Sequence, residues 1–184
     1  MLIFVTGGVR SGKSAFAEQL AIEKAKEKTV HYIATSMRND KEMLERIKKH
    51  QKRREKSKVH WITWEIEQDM GHLMDNIGRS EAMVFDCLTT YVNNNLFRLK
   101  NGEFVMLTEC ERERLFLATV NAFEQLQRNR PLIVVSNEIF YDPQFCNDEA
   151  TFMYTRFLGK MHQRIVQLAD AAYLCENGIP LRMK

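Results

Sequence analysis

The sequence predicts an α/β fold in which a mostly parallel sheet is flanked by helices. Three observations predict it. Short apolar runs bounded by polar residues recur along the chain, segments of helical period separate most of them, and 184 residues with 45% hydrophobic side chains fit one compact domain. Strands separated by helices in this way form a parallel sheet covered on both faces.

Taken in order, the first strand is expected at Leu2–Thr6. A helix follows over Ser14–Lys26, where Phe16 and Leu20, and Ala17 and Ala21, stand at i, i+4 spacing. Val30–Thr35 reads as a strand and Lys41–Arg54 as a helix whose apolar stripe is only Met43, Leu44 and Ile47. His60–Glu65 and Ala82–Asp86 read as strands with a helix over Gln68–Ile77 between them, and Thr89–Leu99 as the next helix. Asn101-Gly102 reads as a loop, Leu107–Gln127 as a helix, Leu132–Ser136 as a strand and Tyr141 to Asp148 as a second loop. Thr151–Leu168 closes the helices, Ala171–Leu174 is a strand, and a further short strand fits at the C-terminus.

Composition narrows the function classes. No apolar run approaches the roughly 20 residues of a membrane span, so none is expected. The chain enters a strand at Leu2 without a charged leader and apolar stretch, so a cytoplasmic address is the expectation. Cys87, Cys110, Cys146 and Cys175 lack the close pairs of zinc ribbons and thioredoxin-like sites, and they read as reduced thiols. Net charge is +3, yet the stretch Arg46–Lys58 alone carries eight Lys or Arg against one Glu. Such a run is a solvated helix face or a surface for phosphate-bearing ligands. It has no interleaved aromatics for stacking single strands, so no nucleic-acid partner is expected.

The motif that carries chemistry is Gly7-Gly8-Val9-Arg10-Ser11-Gly12-Lys13-Ser14, a fit to G-x-x-x-x-G-K-[ST] at every specified position, with a strand before it and a helix after it. Glycines allow a tight bend that turns successive N–H groups inward, where they meet phosphate oxygens at the positive end of the helix. Lys13 would reach the β- and γ-phosphates, and Ser14 would offer its hydroxyl to Mg²⁺. Residues 1–184 thus read as a single P-loop nucleotide-binding domain. Asp86, at the end of a buried strand, is the second expected metal residue, and Glu138, ending another, is a weaker candidate for the catalytic rim.

His50 stands three residues after Ile47 and seven after Met43, beside the stripe of a helix crowded with Lys49, Lys52, Arg53 and Arg54. Neighbouring cations favour the neutral imidazole, which is the nucleophilic form, and draw in a triphosphate. A structural, hydrogen-bonded histidine is the alternative at that position. His31, His60 and His72 read as structural, and His162 has no assignment.

Several stretches together resemble a known family. Val5 through Ser14, Tyr32-Ile33-Ala34-Thr35-Ser36, Glu42-Met43 with Arg46-Ile47 and His50, Trp61-x-Thr63-x-Glu65, Asp86-Cys87-Leu88-Thr89-Thr90 with Val92 and Asn94, Ser136-Asn137-Glu138, Ala169-Asp170 and Gly178-Ile179-Pro180 are similar, in order and spacing, to the bifunctional adenosylcobinamide kinase/adenosylcobinamide-phosphate guanylyltransferases. The resemblance implies a RecA-like P-loop fold and a homotrimer with active sites between subunits. It also implies two reactions of cobalamin assembly. ATP or GTP phosphorylates the aminopropanol hydroxyl of adenosylcobinamide, and GTP then donates GMP to that phosphate through a guanylylated histidine. Carried over by position, His50 is that histidine and Lys13 the catalytic lysine, while Gly7, Gly8, Val9, Arg10, Ser11, Gly12, Lys13 and Ser14 hold the triphosphate. Ala34, Thr35, Ser36, Gln51, Lys52, Arg53, Arg54, Glu65 and Asp86 are implied nucleotide-site positions. Two readings stay open beside it: a P-loop kinase of another small hydroxylated acceptor, and a nucleic-acid-stimulated ATPase.

The pattern departs in the C-terminal half. After Asn137-Glu138 the family continues with Val-Gly and a Gly-Ile-Val-Pro loop, where this chain has Ile139-Phe140-Tyr141-Asp142-Pro143. Its Phe-Arg-Asp becomes Tyr154-Thr155-Arg156, and an Asn before Gln163 becomes His162.

Overall fold

The computed structural model describes residues 1–25, 29–35, 52–55, 57–66, 70, 73, 76–78, 81–100, 102–140 and 148–184. Along them run β1 (Leu2–Gly7), α1 (Lys13–Ala25), β2 (Thr29–Ala34), β3 (His60–Glu65), β4 (Ala82–Asp86), α2 (Leu88–Leu96), β5 (Phe97–Lys100), β6 (Glu103–Met106), α3 (Glu109–Gln127), β7 (Leu132–Asn137), α4 (Glu149–Leu168), β8 (Ala171–Glu176) and β9 (Ile179–Arg182). The main sheet has the order β3-β2-β4-β7-β1-β8-β9. Every pairing in it is parallel except that of β9 with β8, so the expected mostly parallel sheet flanked by helices is what forms.

The period of two in the central strands explains why they are apolar throughout. Leu2 and Phe4, Met83 and Phe85, and Leu132 and Val134 point to one face; Ile3 and Val5, Ala82 and Val84, and Ile133 and Val135 point to the other. The first face is covered by α2, α3 and α4 through Leu88, Tyr91, Phe123, Leu126, Leu158 and Ile165. Phe85, fully enclosed, meets the rings of Phe123 and Tyr91 edge-on at 5.1 and 5.5 Å. Removing a ring so enclosed costs about 3–5 kcal/mol in a close-packed core. The second face is covered by α1. Its buried stripe of Ala17, Ala21 and Ala25 is small, which lets the helix lie close to the sheet.

The chain departs from the expected elements after α2. The helix expected to reach Leu99 ends at Leu96, and Phe97 turns extended at φ −116° and ψ 140°. Phe97–Lys100 then pairs antiparallel with Glu103–Met106. The physical reason lies in Asn101-Gly102, a dipeptide that favours a two-residue hairpin turn; Gly102 has φ +86°. The next helix starts at Glu109 and not at Leu107, because Thr108 and Glu111 form a capping box. Hydrogen bonds from Thr108 hold the Glu111 carboxyl down at about 2. Asp148 likewise caps α4, accepting from the Thr151 N–H at 2.8 Å, so this helix begins two residues before Thr151. The short strand at the C-terminus is β9. Of the expected helix Lys41–Arg54, residues 52–54 are described and helical; the rest, with most of Gln68–Ile77 and of the 141–148 loop, lies outside the described residues.

His31 is buried on β2. Its Nδ1 accepts from the Trp64 indole at 2.8 Å, which leaves the proton on Nε2 to donate to Glu81, also at 2.8 Å. This clamp across β2, β3 and the start of β4 matches the structural role expected for His31. No helix among the described residues is long and apolar enough to cross a membrane.

Candidate active site

The parallel strands bring the expected functional residues to one edge. Gly7 ends β1, Asn137 ends β7, Asp86 ends β4, Ala34 ends β2 and Glu65 ends β3; in register, Gly7 faces Asn137 and Ala34 faces both Asp86 and Glu65. Crevices beyond the carboxyl ends of such strands are where α/β folds bind ligands.

Residues 7–14 run from the end of β1 through a tight loop into the first turn of α1, in the expected order. A Cβ on Gly7 would fall 2.3 Å from the Cys175 carbonyl oxygen, so no larger residue fits against β8. Gly12 has φ +89°, and a Cβ there would stand 3.1 Å from Gly178 Cα. Gly178, in the turn between β8 and β9, also donates its N–H to the Ser11 carbonyl at 3.0 Å. The hairpin turn thus braces the loop, which gives Gly178 in the C-terminal motif a physical task. Arg10 takes the left-handed conformation at φ +62°. The Ser11 hydroxyl is buried with no hydrogen-bond partner among the described residues, and a phosphate oxygen in the cradle would satisfy it.

Lys13 is buried, with Nζ donating to the Gly8 carbonyl at 2.9 Å, so the ammonium lies folded over its own loop. Its charge is felt by two neighbouring thiols. Burial pushes Cys87 and Cys175 up, and Lys13 pulls both the other way. Glu138, following β7, donates its backbone N–H to the Gly7 carbonyl at 2.9 Å, which ties the rim to the loop.

Asp86 is held by Tyr32, whose hydroxyl donates to Oδ2 at 2.8 Å. Burial raises the Tyr32 phenol well above its ordinary value, and the Asp86 charge adds to that, so the group stays a donor. Thr35 is committed to the same turn: its hydroxyl accepts from the Cys87 N–H and donates to the Cys87 carbonyl, both at 2.8 Å. Asn94 in turn donates to the Thr35 carbonyl at 2.9 Å. Thr89 and Ser136 share a hydrogen bond at 2.9 Å, and Ser136 meets His162 Nε2 at 2.7 Å. Burial pushes His162 down to about 4, so it is neutral around pH 7 and its place is structural.

The helical turn 52–55 packs beside this edge. Lys52 is exposed. Arg53 donates to Glu18 of α1 at 2.6 Å, and Arg54, 5% exposed, lays its guanidinium over the Tyr32 ring at 3.9 Å. The basic stretch therefore turns part of its charge inward. Ser36, His50 and Gln51 lie outside the described residues. Sequence reasoning missed Tyr32 and Glu18. The signal for Tyr32 was a hydroxyl in an otherwise apolar buried strand, which needs a partner; Glu18 gave none, because an acidic residue on a helix reads as solvent-facing.

An oxygen-donor pair suits Mg²⁺, which binds one or two protein oxygens and keeps the rest for water and phosphate. Ser14 at the start of α1 and Asp86 at the end of β4 each carry an oxygen donor of that kind. Among the described residues no cluster of three or more His, Cys, Asp or Glu offers an all-protein metal cage.

Residues 3–183 match the model of a family described as cobinamide kinase / cobinamide phosphate guanyltransferase. The chain is 43% identical over its whole length, and over the whole of the relative, to the bifunctional adenosylcobalamin biosynthesis protein CobU of Escherichia coli. It is 31% identical to the Salmonella typhimurium protein of the same name, again with full coverage of both. Identity is also 31% to the bifunctional adenosylcobalamin biosynthesis protein CobP of Pseudomonas aeruginosa, covering 98% of this chain and 95% of that one.

Proposed function

The chain belongs to the cobinamide kinase / cobinamide phosphate guanyltransferase family, and from that membership we propose how its residues divide the two reactions. The observation that carries the reading is the end-to-end match to relatives named bifunctional, in a chain whose P-loop is intact. In the kinase step the aminopropanol hydroxyl of adenosylcobinamide attacks the γ-phosphorus of ATP or GTP. The β–γ bridging bond breaks, and the nucleoside diphosphate leaves. Residues 7–14 hold the phosphates by backbone N–H groups, and Lys13 swings from the Gly8 carbonyl to the β- and γ-oxygens, where it offsets the charge that develops.

In the guanylyl step a neutral His50 nitrogen attacks the α-phosphorus of GTP, and pyrophosphate departs. The phosphate of adenosylcobinamide phosphate then attacks the phosphorus held on His50, forming adenosylcobinamide-GDP and freeing the imidazole. Ala34, Thr35, Ser36, Gln51, Lys52, Arg53 and Glu65 complete the nucleotide side of the site, directly or by holding neighbours, and Arg54 packs behind it on the Tyr32 ring. Ser14 and Asp86 would hold Mg²⁺, which neutralises phosphate charge and orients the triphosphate when bound. The protein acts in the cytoplasm as a homotrimer. Leu99 and Phe104 of the β5–β6 hairpin are 66% and 79% exposed, and apolar groups so placed support association of like chains.

The test is incubation with Mg²⁺ and GTP labelled at the α-phosphate. An acid-labile, alkali-stable protein adduct is expected from the native chain and none from His50→Ala. Mass analysis with adenosylcobinamide present then resolves phosphorylated from guanylylated product. A native chain that phosphorylates the acceptor yet never carries the label refutes the histidine route.

A further inference from the structure

Arg54 is a buried cation whose described neighbours are two aromatic rings and a carboxylate. Its guanidinium stands 3.9 Å above the centre of the Tyr32 ring and 5.7 Å from that of Trp61. Glu18 lies 3.8 Å from Nη1, and that nitrogen makes no hydrogen bond among the described residues. The backbone here is anchored as well: the Ser57 hydroxyl donates to the Arg54 carbonyl at 2.7 Å and accepts from the Trp61 indole at 2.7 Å. Trp61 meets Tyr32 edge-on with centroids 6.5 Å apart. A planar cation on one side and an indole on another hold the phenol ring in one place.

What that ring does is aim its hydroxyl. The bond from Tyr32 to Asp86 Oδ2 fixes rotation of the carboxylate about its last torsion, and so fixes where Oδ1 lies. A side chain that holds a metal-binding carboxylate in one orientation tunes affinity for the metal without touching it.

We propose that Tyr32 is a positioning residue for Asp86, and that Arg54 acts on the site through the Tyr32 ring and not by contact with the nucleotide. This rests on the reading of Asp86 as a Mg²⁺ residue and goes beyond it by assigning Arg54 a different task from the rest of the basic stretch. Two side chains from separate parts of the sequence, one on β2 and one four positions after His50, then set the same carboxylate.

The two routes differ in what they do to binding without metal. The α,β-methylene analogue of GTP, which cannot donate GMP, is titrated calorimetrically into the native chain and into Tyr32→Phe, Arg54→Met and Asp86→Asn, once in EDTA and once in Mg²⁺. Affinity in EDTA is expected to stay at the native value in Tyr32→Phe and Arg54→Met. The gain on adding Mg²⁺ is expected to fall about 10-fold in each, the low end of what loss of an outer partner costs a metal site. The double variant should lose no more than the greater single loss, since both act on one carboxylate. Tyr32→Phe keeps the ring and the seat for Arg54, and Arg54→Lys keeps the buried charge should Arg54→Met fail to fold.

A native Mg²⁺ gain in Tyr32→Phe alongside a reduced gain in Asp86→Asn overturns the proposal and leaves the Asp86 reading standing. An unchanged gain in Asp86→Asn removes that reading and the proposal together. Weaker binding in EDTA by the Arg54 variant places its guanidinium on the nucleotide and overturns the assignment of Arg54.

Discussion

Replacing Gly12 by Ala separates the shape of the phosphate loop from its charge. At φ +89° an L side chain costs about 1–2 kcal/mol. The added Cβ also stands 3.1 Å from Gly178 Cα, so either the loop or the hairpin turn must move. A total of roughly 2 kcal/mol lowers the melting temperature by about 4–8 °C in a chain of this size. If the loop is what yields, its N–H groups lose their common aim, and each 1.4 kcal/mol so lost weakens GTP binding about tenfold. Gly8→Ala is the control, because a Cβ there meets nothing within 4 Å and its φ is not positive. Thermal melts and calorimetric titration with GTP in EDTA read both quantities. Gly12→Ala with the melting temperature and affinity of Gly8→Ala would refute the claim that local backbone shape makes the cradle.

Two further outcomes follow from buried polar groups. His162 is held near 4 by burial against about 6.5 in an unfolded chain, so on acidification the unfolded state takes up the proton first. Its stabilising effect is full above about pH 6.5 and is lost as pH falls from there to 4, about 2 kcal/mol of it between pH 7 and pH 5. Urea unfolding at those two pH values should show His162→Gln losing less stability than the native chain, and equal losses would contradict the assignment. Glu18 is buried at 3% exposure, bonded to Arg53 and 3.8 Å from Arg54. Glu18→Ala leaves the Arg54 charge buried without compensation and should cost about 3–5 kcal/mol in a denaturant melt; a cost below about 1 kcal/mol would show that Arg54 escapes to solvent.

Order and type of the elements were legible wherever burial alone decides structure. The runs at Leu2, Ala82 and Leu132 became central strands because both of their faces are covered, and the P-loop declared itself because backbone geometry leaves so few residue choices at Gly7, Gly12 and Lys13. Legibility failed where a local signal competed with periodicity. Thr89–Leu99 has a helical pattern that the Asn-Gly turn interrupts, and the hairpin draws Phe97 and Leu99 out of the helix. The site was readable in its parts and less so in its connections. Asp86 could be picked from a strand end, but its tie to Tyr32 depends on β2 and β4 being neighbours, which no spacing along the chain encodes. For the same reason the basic stretch read as one surface, while Arg54 takes its place in the interior under Tyr32.

The same dependence on pairing accounts for the departures from the family pattern after Glu138. Phe140, Tyr154 and His162 are far apart in sequence, yet they share one small region behind the edge formed by β4 and β7. The Phe140 ring meets His162 edge-on at 5.3 Å, His162 bonds Ser136 at 2.7 Å, and the Tyr154 hydroxyl donates to the Thr89 carbonyl at 3.0 Å. Thr89 in turn accepts the Asn137 N–H at 2.7 Å. Each ring therefore finds its partner in another departing residue, in the Thr89 carbonyl or in the Ser136 hydroxyl, and an isolated change at His162 or Tyr154 would leave one of those polar atoms short of its partner. Changes that must be made as a set can alter how Asn137 is backed while leaving residues 7–14 as they are. On that argument the divergence of this chain bears on the support of the rim at β7, which reaches residues 7–14 only through the pairing of Asn137 and Glu138 with Gly7.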